Sequence, residues 1–174
     1  MKTKLITTLF LIACVLPCMA QHLSKKTEDY VSSRVALIYN SIFQNLNQID
    51  SEIENPILQD GNDIEEMYCS ASWNSLRSRV EKKESEEEDL FFDYDYWIDA
   101  QDYCDLHLIN VKVESLCYDR SVVSVVISNC GNLTKKYLEL CYEHDDWFVN
   151  DFITSFRGNM KDYLEGKAYF YKNE

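Results

Sequence analysis

The stretch Leu108-Ile109-Asn110-Val111-Lys112-Val113-Glu114 alternates apolar and polar side chains, with Ile109, Val111 and Val113 on one side and Asn110, Lys112 and Glu114 on the other. A period of two is the pattern of a strand with one buried face. Three further strand-like runs follow, over residues 121–128, 133–143 and 147–154. The links between them, Tyr118-Asp119-Arg120, Asn129-Cys130-Gly131-Asn132 and His144-Asp145-Asp146, are short and rich in turn residues. Links of that length force antiparallel neighbours, so the second half of the chain predicts a four-stranded antiparallel meander.

Upstream, the period changes to that of a helix. Val31, Val35, Ile38, Ile42, Leu46 and Ile49 recur at steps of three and four and draw one apolar stripe. Thr27 is placed to cap it, Glu28 and Asp29 suit its first turn, and Asn55-Pro56 stops it. Asp63-Ile64-Glu65-Glu66 resembles a capping box for a second helix, whose buried face begins with Ile64, Met67 and Tyr68. Ser70-Ala71-Ser72 marks a break, and Trp73, Leu76 and Val80 open a third helix that dissolves into the acidic run Glu84-Ser85-Glu86-Glu87-Glu88-Asp89. Residues 159–171 predict a short closing helix interrupted at Gly166. The expected fold is therefore α+β: N-terminal helices packed on one face of a curved four-stranded antiparallel meander, with a short C-terminal helix. There is no internal repeat and no linker, so residues 21–174 form a single domain.

The first twenty residues follow a different logic. Lys2 and Lys4 make a positive start, Leu5 to Leu16 is apolar apart from Thr7 and Thr8, and Cys18-Met19-Ala20 ends in small residues. That order is the secretory signal pattern, cleaved after Ala20, and the apolar run is short of the roughly 20 residues that span a bilayer. Leu11-Ile12-Ala13-Cys14 resembles a lipoprotein box that would tether the chain through Cys14, but the apolar region continues past it, so a free periplasmic or secreted chain fits better, with no transmembrane segment after cleavage.

Removing the signal changes the composition. The whole chain carries a net charge of −13, and without Lys2 and Lys4 fifteen basic residues face thirty acidic ones. Such a surface repels nucleic acid and attracts basic partners. Cys69, Cys104, Cys117, Cys130 and Cys141 remain of seven cysteines. Export permits disulfides, and an odd count leaves at least one thiol free or paired between two chains, which admits a dimer. If residues 118–121 and 129–132 are tight turns, Cys117 faces Val122 and Cys141 faces Arg120, so register alone selects no disulfide.

Chemical motifs are sparse. There is no Gly-rich phosphate loop, no serine-hydrolase elbow, no zinc helix motif and no Cys/His spacing of a metal site, so no catalytic residue, metal ligand or cofactor is assigned. The most unusual segment runs from Phe91 to Tyr103 and interleaves aromatic residues with Asp93, Asp95, Asp99 and Asp102. Its acids are spaced like calcium-loop ligands, but Ile98 stands where the loop needs glycine and Cys104 where it needs glutamate. Two other roles suit the segment: a plug for the open end of the core, or a pocket rim with Gln101 and Asp102 as polar anchors.

Three stretches carry a resemblance: Asp93-Tyr94-Asp95-Tyr96-Trp97-Ile98 with Gln101-Asp102, Asp146-Trp147-Phe148-Val149-Asn150-Asp151-Phe152, and Phe156-Arg157-Gly158-Asn159-Met160. Together with the element order over residues 27–164, they resemble exported bacterial proteins of a domain of unknown function within the nuclear-transport-factor-2-like superfamily. The resemblance implies a cone, in which a curved sheet wraps N-terminal helices, and an exported location. Isomerases and dehydratases of that superfamily place an Asp or a His/Asp pair in the cone, but no such pair matches a motif here. The leading expectation is a non-enzymatic binding domain for a small ligand, with Tyr94, Trp97, Gln101, Asp102 and Trp147 as its contacts. Its rivals are an acidic inhibitor or immunity-type protein that masks a basic partner, and a cone enzyme with a buried, raised-pKa carboxylate.

Overall fold

The computed structural model describes residues 25–49, 61–87, 95–155 and 157–170. The signal segment, the Asn55-Pro56 stop and Tyr94 lie outside the described residues. Helix α1 spans Glu28–Ile49. Thr27 Oγ1 accepts the Tyr30 N–H at 3.3 Å, which caps the helix as its sequence requires. Val31, Val35, Ile38 and Ile42 are buried along its stripe. Helix α2 spans Gly61–Tyr68 and α3 spans Ala71–Glu87. Because α2 begins at Gly61, Asp63 lies inside its first turn rather than at the cap. The break between α2 and α3 is used twice. The Ser70 N–H donates to the Val149 carbonyl at 2.8 Å, pinning the corner to the sheet, and Ser70 Oγ accepts the Trp73 N–H at 3.1 Å, capping α3.

The sheet runs β1 His107–Cys117, β2 Arg120–Asn129, β3 Asn132–Glu143, β4 Asp146–Thr154 and β5 Gly158–Asn159. Its spatial order is the chain order and every pairing is antiparallel. The fold is thus α+β with a five-stranded antiparallel open sheet. The fifth strand is an addition to the expected four; at two residues it is too short to leave a periodic signal. Helix α4, Met160–Phe170, closes the chain without interruption at Gly166, one of the tolerable glycines of a helix interior.

Turn geometry sets the register. At the β2–β3 turn Cys130 and Gly131 have φ of 52° and 77°, and at the β3–β4 turn His144 and Asp145 have φ of 49° and 63°. Two successive left-handed residues match the right-handed twist of a hairpin. The β1–β2 turn also has two central residues, so Cys117 pairs with Arg120 and Ser115 with Val122. This corrects the expected Cys117–Val122 pairing, while Cys141 does pair with Arg120. Bulges in β1 fall between Leu108 and Asn110 and between Val113 and Ser115. The first drops Ile109 out of the alternation and leaves it 54 % exposed, whereas Leu108, Val111 and Val113 pack against the core. A simple period of two therefore misplaces Ile109.

The core lies between the helices and one face of the sheet. Val123, Val125 and Ile127 of β2, Leu138 and Leu140 of β3, and Trp147, Val149 and Phe152 of β4 meet α1, α3 and α4 there. No helix among the described residues is long and apolar enough to cross a membrane.

Cys104 and Cys130 form a disulfide across 26 residues, tying the segment before β1 to the β2–β3 turn. Cys69 and Cys141 are buried thiols and Cys117 is exposed. Closing a loop of that length removes about 3.5 kcal/mol of unfolded-state freedom. Cys130→Ser is expected to lower the urea-unfolding free energy by that order, and a reducing agent to reproduce the loss in the wild type. Equal stability with and without reductant would show that the bond constrains nothing.

Candidate functional site

Chemically capable groups gather in three places: inside the core, at the end of the sheet that carries the β1–β2 and β3–β4 turns, and on the outward sheet face. The interior group begins at Lys136. Its position on β3 opposite Val125 directs it to the core face, and it is 1 % exposed. Its ammonium donates to the Tyr96 carbonyl and lies 5.3 Å from the centre of the Phe152 ring. Burial pulls its pKa down to about 8, against the charges of Asp95 and Asp99, which pull it up. Both acids belong to a closed turn in which Asp95 and Ala100 exchange backbone hydrogen bonds. Asp95 Oδ1 accepts the Trp97 N–H at 2.7 Å, and Asp99 Oδ2 accepts the Ser155 hydroxyl at 2.6 Å and its N–H at 3.0 Å.

This arrangement explains the calcium-like spacing. The charges of Asp95 and Asp99 act on the Lys136 ammonium, Asp99 Oδ1 is buried with no hydrogen-bond partner among the described residues, and Asp93 lies outside the described residues. Among the described residues no group of three His, Cys, Asp or Glu side chains is placed to hold a metal ion. Around the charges the aromatic rings are close packed. Phe152 meets Trp97 at 4.6 Å, Trp73 at 4.7 Å and Tyr96 at 4.8 Å between ring centres. Edge-to-face contacts at these distances fill the interval between α3, the 95–100 turn and β4.

A second buried acid, Glu65 of α2, accepts the Trp73 indole N–H at 3.2 Å and lies 3.6 Å from Arg77 Nε. Burial pushes its carboxyl to about 7; Arg77 and the indole pull the other way and do not offset it. Arg77 also meets Glu81 at 3.1 Å and Glu84 at 3.7 Å, so its one positive charge serves three carboxylates.

At the turn-bearing end of the sheet the chemistry is accessible. Tyr118, in the β1–β2 turn, is 84 % exposed. The Lys26 ammonium lies 3.8 Å from the centre of its ring and 4.2 Å from that of Tyr142 on β3. Tyr142 packs edge-on against Trp147 at 5.3 Å and donates its hydroxyl to Asp145 at 2.8 Å. Its backbone N–H donates to the Asp119 carbonyl at 2.9 Å, joining the two turns. Lys25 donates to the Asp145 carbonyl at 2.8 Å and approaches its carboxylate at 3.3 Å, while the Trp147 indole N–H donates to the Lys25 carbonyl at 2.7 Å. Asp146 completes the group, accepting from the Tyr30 hydroxyl at 3.0 Å and pairing with Arg34 at 3.3 Å.

The outward face carries a groove of about 270 Å³ lined by Ser115, Cys117, Arg120, Ser121, Val122, Glu139 and Leu140. Farther along the same sheet, Asn150 Oδ1 accepts from Ser70, Ser72 and Lys161 at 3.1, 3.0 and 2.8 Å. Burial pushes the neighbouring Asp151 carboxyl to about 6.

The residues singled out from sequence are dispersed. Trp97 is a core residue whose carbonyl accepts the Tyr39 hydroxyl at 3.1 Å. Gln101 and Asp102 are exposed near the disulfide, where the Asp102 carbonyl accepts the Asn129 side-chain amide at 2.9 Å. Trp147 is fully buried at the opposite end of the sheet, a strand length of roughly 35 Å away. The fold does not gather these four residues around one pocket. Sequence reasoning missed Lys136, Glu65, Tyr118 and Tyr142. Lys136 had a signal, because it occupies the same parity as Leu138 and Leu140 in an otherwise apolar register. The chain matches no known protein-family model, no curated protein and no solved structure.

Lys136→Met is expected to destabilise the fold by about 3–5 kcal/mol, the usual loss when one partner of a buried charge group is removed. Adding Asp95→Asn should recover part of it, and urea unfolding of the three proteins checks both. The Glu65 effect is readable against pH. Its carboxyl holds a proton in the folded state up to about 7 but only to 4.5 in the unfolded chain. The stability it contributes is complete below the lower value and is lost as pH rises through the upper one, by roughly 3 kcal/mol. Unfolding at pH 4.5 and 7.5 should show the wild type losing that much more than Glu65→Gln; parallel curves would refute it.

Proposed function

We propose that this chain is an exported, non-enzymatic binding domain that engages a basic partner through its acidic exterior. The observation that carries the reading is the placement of charge. In the interior, Asp95 accepts the Trp97 N–H, Asp99 accepts from Ser155 and Glu65 accepts the Trp73 indole beside Arg77, while at the turn-bearing end Asp145 and the two tyrosines hold the chain's own lysines. A net charge of −13 steers cations toward such a surface. Export rests on the signal-like first twenty residues, and the Cys104–Cys130 bond is compatible with an oxidising compartment. The cone-like, nuclear-transport-factor-2-like reading is supported by the order of elements, by helices packed on one sheet face, and by bulges that bend β1 and β4.

The cone-enzyme reading requires a raised-pKa carboxyl within reach of a substrate. Glu65 has the pKa, but it is 8 % exposed and bonded to Trp73, which favours a packing role. A small-ligand reading has one observation in its favour, the groove beside Arg120, whose guanidinium suits an anion.

Calorimetric titration of the chain with tetralysine and tetraglutamate peptides, each at 20 and 200 mM salt, separates these readings. The expected outcome is binding of tetralysine alone, weakening severalfold as salt rises. Preferential binding of tetraglutamate would transfer the function to the Arg120 groove, and salt-independent binding of tetralysine would remove the electrostatic basis.

A further inference from the structure

We infer that Tyr118 and Tyr142 form a receptor for a lysine side chain of the basic partner, and that Lys26 is an internal occupant which the partner displaces. The inference rests on the binding-domain reading and adds the site, the group recognised and the competitor.

Three observations converge on it. Two rings from different hairpins flank one ammonium, at 3.8 and 4.2 Å, inside the range in which the negative ring face attracts a cation. Among the described residues the ammonium of Lys26 is held by rings rather than by a carboxylate, although the chain is strongly acidic. The rings are also set in place by the fold. Tyr142 is fixed by Trp147 and by its hydroxyl bond to Asp145, and the 2.9 Å bond from its N–H to the Asp119 carbonyl fixes the Tyr118 turn beside it.

The occupant is exchangeable because its hold is slight. An exposed cation–π contact is weak, and the adjacent Lys25–Asp145 pair, with the Asp145 side chain 55 % exposed, is a surface ion pair of small net value. Lys26 precedes Glu28, the first residue of α1, so its withdrawal leaves the helix and its Thr27 cap intact. A partner lysine entering the same rings meets the Asp145 carboxylate beside the Tyr142 hydroxyl, which complements a basic segment and repels an acidic one. Lys26 competes as an attached ligand, so the measured affinity for any other lysine is reduced by the fraction of time that it occupies the rings.

Tetralysine binding to four proteins tests the inference: wild type, Lys26→Ala, Lys26→Ala with Tyr118→Ala, and Lys82→Ala. The last removes the same charge from an exposed position on α3, where Lys82 pairs with Glu86. Lys26→Ala should bind about fivefold more tightly than wild type, a change of the size that two ring contacts supply. Lys82→Ala should stay within about twofold of wild type on general charge grounds, and adding Tyr118→Ala should abolish the gain. Tyr118 is 84 % exposed, so its loss should leave the fold intact, which circular dichroism checks. Equal tightening by Lys26→Ala and Lys82→Ala, or a gain that survives Tyr118→Ala, overturns the receptor while leaving the basic-partner reading in place. Absence of tetralysine binding by all four proteins removes both.

Discussion

The structure depends on a lysine buried among aromatic rings. An ammonium group removed from water without compensation costs several kcal/mol even after relaxation, so Lys136 is tolerable only because the chain brings carbonyl, carboxylates and ring to it. The Tyr96 carbonyl accepts its hydrogen bond, Asp95 and Asp99 supply opposite charge, and the Phe152 ring lies beside it. Each of these partners belongs to a different piece of the fold or carries a second bond. Asp95 closes the 95–100 turn, Asp99 reaches Ser155 just beyond β4, and Phe152 is the ring against which Trp73, Tyr96 and Trp97 pack. One charge thereby fixes the turn that precedes the sheet, the end of β4 and the position of α3. A hydrophobic residue at 136 would leave two acids without their opposite charge on a turn that Tyr96, Trp97 and Ile98 still hold in the core.

How far this was legible from the residues alone varies with the physics involved. Periodicity marked α1, the helix break at Ser70 and the long strands, because each buries one face and the spacing of apolar residues records that face directly. The bulges at Ile109 and Glu114 were hidden, since an extra residue inserted between unchanged apolar neighbours does not alter composition and becomes visible only when the partner strand is in place. The same holds for β5, whose two residues have no period. The Phe91 to Tyr103 segment stands out in sequence as a calcium-like loop, a pocket rim or a plug for the core, and none of these readings turns its acids toward a buried cation. Their actual counter-charge, Lys136, lies some forty residues downstream, and pairing across that separation is a property of the tertiary fold. The accessible site was hidden for a similar reason. Tyr118, Tyr142 and Lys26 are distant in sequence and meet only because two tight turns lie side by side at one end of the sheet.

The two ends of the sheet are held by different forces, and this has consequences for recognition. At the β2–β3 turn a covalent bond and the Asn129 side chain fasten the segment leading into β1. At the opposite end the fastening consists of surface ion pairs, hydroxyl bonds and cation–π contacts, each worth about a kcal/mol or less. Contacts of that kind exchange with solvent and with other cations without disturbing the core, whose stability comes from buried area and from Lys136. Strength and exchangeability oppose each other in a single contact, and here the fold separates them: the interior charges are enclosed by the core, while the charges at the turn-bearing end meet partners that water or another chain can replace. The binding role proposed above would need that separation, because a surface whose contacts also held the fold together would unfold on releasing them.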